Sequence, residues 1–111
     1  MPEKQSKPMK EISYRESRVA KLLGDPAKYA IASLLLKKGP TCVTEIARMV
    51  HRRESTVSYH LSKLKGIEIV RYEAKTDGVY YWIKYPQELS LIIKALKTFV
   101  KRSLAGLEND I

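Results

Sequence analysis

Two short amphipathic segments, followed directly by two strand-like segments, constrain the fold of this 111-residue chain more than any other feature. Residues 41–50 and 54–66 both place apolar residues at helical spacing, and the polar corner His51-Arg52-Arg53 separates them. Two short helices joined in this way are typical of a helix-turn-helix, although an ordinary helical bundle can contain the same pair. The pair alone therefore leaves both folds open.

The segment after the pair favours the helix-turn-helix. The runs IVRYEAK and VYYWIKY alternate apolar and polar residues around Thr76-Asp77-Gly78, and an Asp-Gly pair favours a two-residue type I′ turn. With Asp77 and Gly78 at the centre of that turn, Ala74 faces Tyr81, and one face of the hairpin is almost wholly apolar. A hairpin directly after the helix pair predicts a winged helix-turn-helix, mostly α, with five helices and a two-stranded wing.

Composition and charge narrow the classes of function. Hydrophobic residues make up 44% of the chain, which is enough for a compact core, and the net charge of +9 favours a polyanionic partner or an anionic membrane surface. No apolar run approaches the roughly 18 residues of a membrane span, and the charged first residues lack the apolar stretch of a signal peptide. The expectation is a soluble cytoplasmic protein. A membrane-surface role fails because no amphipathic helix combines a basic polar face with aromatic anchors.

The second helix of the pair presents hydroxyl side chains opposite its apolar residues Val57, Leu61 and Leu64. Hydroxyls and tyrosine can contact base edges or phosphates, and a basic hairpin can lie along phosphates or enter a minor groove. The bland alternatives are a solvated helix face and a charged edge that prevents strand pairing. The predicted DNA-binding residues are Ser55, Thr56, Ser58, Tyr59, Ser62 and Lys63 on this helix, with Arg71, Lys75, Tyr80, Arg52 and Arg53 in the wing and the corner.

The last helix carries an apolar stripe of about five turns, more than a small module needs to cover. Uncovered apolar patches of that kind usually mark an interface, so we expect a symmetric homodimer. The predicted interface residues are Ile12, Val19, Leu89, Ile92, Ile93, Leu96, Phe99 and Val100. The predicted organisation is a flexible basic tail over 1–10 and one winged-helix domain over 11–111, with a DNA-binding core at 24–85, its wing at 69–85, and dimerisation helices at 11–23 and 86–107.

The stretches CVTEIARMV, STVSYHLSKL and IVRYEAKTDGVYYWI resemble the ArsR family of bacterial and archaeal winged-helix repressors. The recognition helix of that family typically has the pattern Ser-x-Val-Ser-x-His-Leu-x-x-Leu, and the matching residues here are Ser55, Val57, Ser58, His60, Leu61 and Leu64. The resemblance covers roughly residues 18–85. It implies a homodimer that binds operator DNA, with the first and last helices at the interface and DNA contacts at Ser55, Thr56, Ser58 and Tyr59.

The chain departs from the metal-sensing members of that family. Many of them have a Cys-x-Cys at the first short helix, where this chain has Cys42 and Thr44, and others use His and Asp on the last helix, where residues 86–111 contain no His. With one cysteine and no paired ligands, we expect no metal site and no cofactor. We also expect no catalytic residues, because the chain lacks a Gly-rich phosphate loop, a nucleophile elbow and a Ser/His/Asp grouping.

Two binding functions remain open at this point. The first is a sequence-specific regulator, a repressor that acts as a homodimer on an inverted-repeat operator. The second is a winged-helix module for protein or RNA interaction, and the spread of charge keeps it open: residues 44–85 hold eight Lys and Arg against five Asp and Glu, and residues 1–23 hold six against three. The excess positive charge is therefore not concentrated on the recognition helix and wing.

Overall fold

The computed structural model describes residues 2–110 of the chain, and the side chains of residues 10–108. The elements in this range are α1 Pro2–Leu23, α2 Pro26–Lys38, β1 Thr41–Cys42, α3 Val43–Val50, α4 Glu54–Gly66, β2 Val70–Lys75, β3 Gly78–Ile83 and α5 Pro86–Asp110. Helices α3 and α4 form the helix-turn-helix and β2 and β3 form the wing, which confirms the predicted fold. None of the helices in the described range is long and apolar enough to cross a membrane.

Helix α1 begins much earlier than the sequence predicted. The expected boundary between a tail over 1–10 and a helix from 11 is wrong, since the helical backbone starts at Pro2. Proline suits the first turn of a helix, because the N–H that it lacks would have no intrahelical partner there. Met1 and the side chains of residues 1–9 lie outside the described part, and the mobility of the tail stays a prediction.

Local sequence signals set both ends of α2. The side chain of Asp25 accepts a hydrogen bond from the backbone N–H of Lys28 at 3.0 Å, and Pro26 occupies the first position of the helix. At the other end, Gly39 adopts a positive φ of 79°, and its N–H donates to the carbonyl of Leu35 at 2.9 Å. The start and end predicted from Asp-Pro and Gly-Pro are confirmed.

A third strand, which the sequence did not predict, joins the two strands of the wing to form one sheet. Strand β1 pairs antiparallel with β3, which pairs in turn with β2, so the strand order is β1-β3-β2. Thr41 lies opposite Tyr81, and Cys42 lies opposite Tyr80. Because β1 runs directly into α3, the backbone at the start of the helix-turn-helix is hydrogen-bonded to the wing. A two-residue strand is too short to show any alternation of apolar and polar residues.

The register of the hairpin differs from the predicted one by two residues. Ala74 pairs with Val79 rather than with Tyr81. A type I′ turn needs positive φ at both central residues, but neither turn residue of 76–77 has one, and the positive φ of 143° falls on Gly78. Because side chains alternate with a period of two, this shift leaves every side chain on its predicted face.

The hydrophobic core lies beneath α4 and joins it to three neighbouring elements. Its largest fully buried side chains come from α2, α3, α4 and β2: Ile31, Leu35, Ile46, Val57, Leu61, Leu64 and Val70. Leu23 at the end of α1 and Leu89 and Ile93 at the start of α5 also belong to it. Three of these seven large buried side chains belong to α4, so the core fixes which face of that helix points outward.

Candidate nucleic-acid interface

The outward face of α4 carries the predicted recognition residues. Val57, Leu61 and Leu64 have an exposed fraction of 0% and hold the opposite face on the core. Thr56 is half-buried and stands at the edge of the outward face. The other predicted residues of this helix are exposed: Ser55, Ser58, Tyr59, Ser62 and Lys63. A face of hydroxyls, one aromatic ring and one ammonium can hydrogen-bond to base edges and to phosphates.

Tyr59 is the largest side chain on this face, and 57% of it is exposed. The Nζ atom of Lys63, one turn further along α4, lies 5.2 Å from the centroid of its ring, and the Nζ atom of Lys28 in α2 lies 5.8 Å from it. The hydroxyl of Ser62 donates to the backbone carbonyl of Tyr59 at 2.6 Å, so its proton is used within the helix. Cations from two helices therefore flank a ring that remains more than half accessible.

The wing presents two exposed cations and one constrained tyrosine. Arg71 and Lys75 are exposed and lie on the same face of β2, four residues apart. The hydroxyl of Tyr80 donates to the carboxylate of Asp77 at 2.8 Å, and this hydrogen bond raises the pKa of Tyr80. The Nζ atom of Lys75 lies 5.0 Å from the centroid of the Tyr80 ring. Tyr80 therefore orders the tip of the wing, and its hydroxyl proton is engaged by Asp77.

The corner between α3 and α4 carries two arginines, Arg52 and Arg53, that are available to bind an anion. His51 ends α3 in the left-handed conformation, with φ at 58°, and its carbonyl accepts a hydrogen bond from Arg52 at 3.2 Å. Within the described residues, neither Arg52 nor Arg53 takes part in an ion pair. Arg48 differs, because it makes two hydrogen bonds of 2.7 Å to the carboxylate of Glu45. The corner arginines are thus better placed to meet an external anion than Arg48.

His60 lies at the junction of α4 and α2, where its surroundings favour the neutral imidazole. Its Nδ1 atom is buried and finds no hydrogen-bond partner within the described residues. Burial, followed by the nearby charge of Lys28, lowers the pKa of His60 from its ordinary value of 6.5. Its ring meets the ring of Tyr59 edge to face, with the centroids 5.8 Å apart. The neutral imidazole thus acts as a packing group beneath the outward face of α4, which we call the recognition face.

Two features beside this face were missed by the sequence analysis. Lys28 is only 8% exposed, and no pattern of apolar residues indicates that a lysine in a first helical turn is buried. Tyr72 of β2 stacks on Tyr81 of β3 at 5.5 Å, and the Nζ atom of Lys65 lies 4.6 Å from the Tyr72 ring centroid. The alternation of the strands places both tyrosines on one face, so the sequence contained a signal for that pair but not for its lysine.

The described side chains do not assemble a metal centre. Across residues 10–108, no group of three or more His, Cys, Asp or Glu side chains could hold a metal ion. Cys42 is a half-buried free thiol. Thr44, two residues further on, donates a hydrogen bond of 3.4 Å from its hydroxyl to Glu54. The segment that leads into α3 therefore offers one soft ligand beside a hydroxyl that is already paired.

The predicted interface residues divide into two sets. Leu89 and Ile93 are each 5% exposed and belong to the core of the single chain, so their assignment to the interface is wrong. Val19 is half-buried against the same core. One apolar stripe serves both surfaces, because the first turns of α5 pack on the domain and the later turns extend past it. The predicted residues that stay exposed, to between 40% and 71%, are Ile12, Ile92, Leu96, Phe99 and Val100.

Comparison with known proteins identifies the family. A sequence profile described as "Bacterial regulatory protein, arsR family" matches residues 25–72, from the N-cap of α2 into β2. The chain belongs to the ArsR family. It is 32% identical over 79 residues to the cadmium resistance transcriptional regulatory protein CadC homolog of Staphylococcus aureus, an alignment that covers 71% of this chain and 65% of that protein.

The chain is also similar to an archaeal transcriptional regulator, and it shares its fold with a solved structure. The chain is 30% identical over 69 residues to the HTH-type transcriptional regulator MJ1325 of Methanocaldococcus jannaschii, covering 62% of this chain and 78% of that protein. The homodimeric winged helix-turn-helix DNA-binding domain Mb0332 of Mycobacterium bovis superposes with a TM-score of 0.76 at 22% identity, covering 87% of this chain and 92% of that one. The match to the CadC homolog spans just under two thirds of that protein. The resemblance inferred from the sequence motifs is confirmed.

Proposed function

We propose that this protein binds double-stranded DNA as a homodimer and represses transcription from an inverted-repeat operator. The observation that carries the proposal is the exposed, hydroxyl-rich face of α4, which the core fixes in place between a basic wing and a basic corner. A helix of that kind fits the major groove, while a hairpin beside it can reach the neighbouring backbone. The ArsR-family membership and the DNA-binding fold of Mb0332 support this assignment.

The chemistry of the side chains distinguishes candidates for base contacts from candidates for phosphate contacts. Tyr59 and Ser58 are the candidates for base contacts, and Ser55 and Thr56 can reach either a base edge or a phosphate. No Arg, Asn or Gln lies on the outward face of α4 between Ser55 and Lys63 to read guanine or adenine with two hydrogen bonds. The cations expected on phosphates are Lys63, Arg71, Lys75, Arg52 and Arg53. We therefore expect modest base discrimination and strong dependence of affinity on salt.

The exposed apolar residues of α1 and α5 support the dimer. Phe99 is 71% exposed and Ile12 is 58% exposed, although both are large and apolar. A two-fold axis through this surface brings the two copies of α5 together and presents two α4 helices to one side of a duplex. Two-fold symmetry in the protein requires two-fold symmetry in the site, so the half-sites should be centred about 10 bp apart.

The proposal is tested by titrating the protein onto duplexes from the region upstream of its own gene and onto scrambled duplexes, at several salt concentrations. We expect one upstream duplex to bind more tightly than its scrambled version, and protein added to in vitro transcription from that duplex to lower transcript yield. Arg71→Ala should weaken binding to all sequences and flatten the plot of log affinity against log salt by about one unit. Arg102→Ala in α5 is the matched control and should change neither.

Equal, weak binding to operator and scrambled duplexes would overturn the assignment. The second candidate, a winged-helix module for protein or RNA, would then take first place. The observation that favours it is the spread of charge, because residues 44–85 carry a net charge of only +3 out of a total of +9. Titration with single-stranded and structured RNA under the same salt conditions distinguishes an RNA-binding module from a protein-binding module.

A further inference from the structure

A buried lysine stands behind the recognition face. The side chain of Lys28, in the first turn of α2, is 11% exposed, and its Nζ atom lies 3.7 Å from the carboxylate of Asp25. Asp25 also accepts the backbone N–H of Lys28 at 3.0 Å, so the carboxylate caps the helix and partners the charge at once. Burying an ammonium is unfavourable unless such a partner is present. The position therefore keeps a charge where an apolar residue would be easier to accommodate.

The same ammonium also faces an aromatic ring on another helix. Its distance of 5.8 Å from the Tyr59 ring centroid is within the range of cation–π attraction. Lys63 flanks the ring at 5.2 Å, but Lys63 belongs to the exposed surface of α4. A tyrosine that is 57% exposed is free to change rotamer unless something holds it. Lys28 reaches the ring from the core side and from a second helix, so its contact fixes the ring relative to α2 as well as to α4.

We propose that Lys28 is a positioning residue for DNA recognition, which holds the Tyr59 ring in the orientation that α4 presents to a base edge. The inference rests on the proposed function and deepens it by assigning a residue that the sequence analysis did not select. Lys28 acts through Tyr59 and does not itself contact DNA, since its buried side chain leaves the exposed surface to the ring. Holding the ring in advance lowers the entropy cost of forming the base contact.

Lys28→Met tests this inference, because methionine keeps an unbranched apolar stem of similar length and removes the charge. We expect the ratio of operator to scrambled affinity to fall about three- to tenfold, with an unchanged slope of affinity against salt. In a Tyr59→Ala background the same change should have no further effect on the ratio, because the ring that Lys28 holds is already gone. Lys37→Met, at an exposed position of the same helix, is the matched control and should leave ratio and slope unchanged.

Two results would refute the positioning role. An unchanged ratio in Lys28→Met would show that the contact with Tyr59 has no consequence for recognition. Equal weakening on both duplexes, with a slope flatter by about one unit, would show that Lys28 contacts a phosphate directly. If Lys28→Met fails to fold, Lys28→Gln serves in its place, since its amide can still donate to Asp25 without carrying charge. Lys28→Arg, which restores a cation near the ring, should recover the ratio.

A measurement without DNA separates this inference from the proposed function. In protein with ¹³C-labelled tyrosine, the ring signal of Tyr59, assigned from Tyr59→Phe, should shift and indicate a more mobile ring in Lys28→Met and not in Lys37→Met. If the wild-type protein shows no operator preference, the proposed function fails, and this signal still decides whether Lys28 holds the ring. An identical Tyr59 signal in the wild type and Lys28→Met would reject the contact itself.

Discussion

Replacing Leu96 with glutamate should dissociate the proposed dimer without unfolding the chain. Leu96 lies in the exposed part of the α5 stripe and is 41% exposed in the single chain. Complete burial of a leucine side chain contributes about 1.5–3 kcal/mol, so covering this remaining fraction contributes about 0.6–1.2 kcal/mol per chain, and about twice that in a symmetric dimer. Burying two carboxylates in the same seam, where the exposed parts of the two α5 stripes would meet, adds a further cost of at least about 1–3 kcal/mol.

The combined loss of about 2–5 kcal/mol should raise the dimer dissociation constant by between one and four orders of magnitude. Sedimentation velocity over a range of protein concentrations measures this directly. Leu91→Glu is the matched control, because Leu91 is 67% exposed and lies on the opposite side of α5 from Ile93 and Leu96. Leu91→Glu should sediment as the wild type does. An unchanged dissociation constant in Leu96→Glu, or an equal change in both variants, would refute the assignment of this seam.

Further predictions concern the core, the cap, the recognition helix and the absence of a metal. Leu61→Ala, at a position with 0% exposure, should lower the free energy of unfolding by about 2–5 kcal/mol in urea titrations. The backbone hydrogen bond from Lys28 lowers the pKa of Asp25 below 3.8, so the stabilisation by this carboxylate is fully present above that pH and is lost as the pH falls through the lowered pKa; the roughly 0.5–2 kcal/mol difference in unfolding free energy between wild type and Asp25→Ala should therefore disappear in acid. Tyr59→Ala should reduce the operator-over-scrambled margin by about 1–3 kcal/mol in binding titrations, and an unchanged margin would assign sequence reading to another element. Calorimetric titration with zinc or cadmium should show no submicromolar binding of one ion per chain, and such binding would point to Cys42 as the first ligand.

The elements that the sequence predicted correctly are those with strong local signals. Asp25 and Pro26 define the start of α2 because cap and first-turn preferences act over three or four residues. The faces of the wing followed from alternation, which is independent of which residues form the turn. The register of the hairpin was not predicted correctly. The Asp-Gly pair suggested a type I′ turn, which has positive φ at both central residues, and this turn is centred one residue later than the observed one.

The remaining differences depend on tertiary contacts that no local pattern encodes. Helical periodicity finds the apolar stripe of α5, but it does not show where the domain stops covering that stripe, so Leu89 and Ile93 were assigned to the wrong surface. The contact between Lys28 and Tyr59 joins residues 31 positions apart and depends on how α2 crosses α4. The exposed residues of α4 were predicted because the apolar positions of one helix fix its opposite face.

The pairing of β1 with β3 has a consequence for protein engineering. In the sequence the hairpin over 69–85 is a local unit, which makes it a natural segment to exchange between related regulators. Here Thr41 and Cys42, almost thirty residues before the hairpin, form one edge of its sheet, with Thr41 only 5% exposed. A chimera that imports a foreign hairpin over 69–85 would place new side chains against this edge while leaving the edge itself native. Transplants should therefore carry residues 41–42 together with the hairpin, or they will alter the entry into α3 as well as the wing.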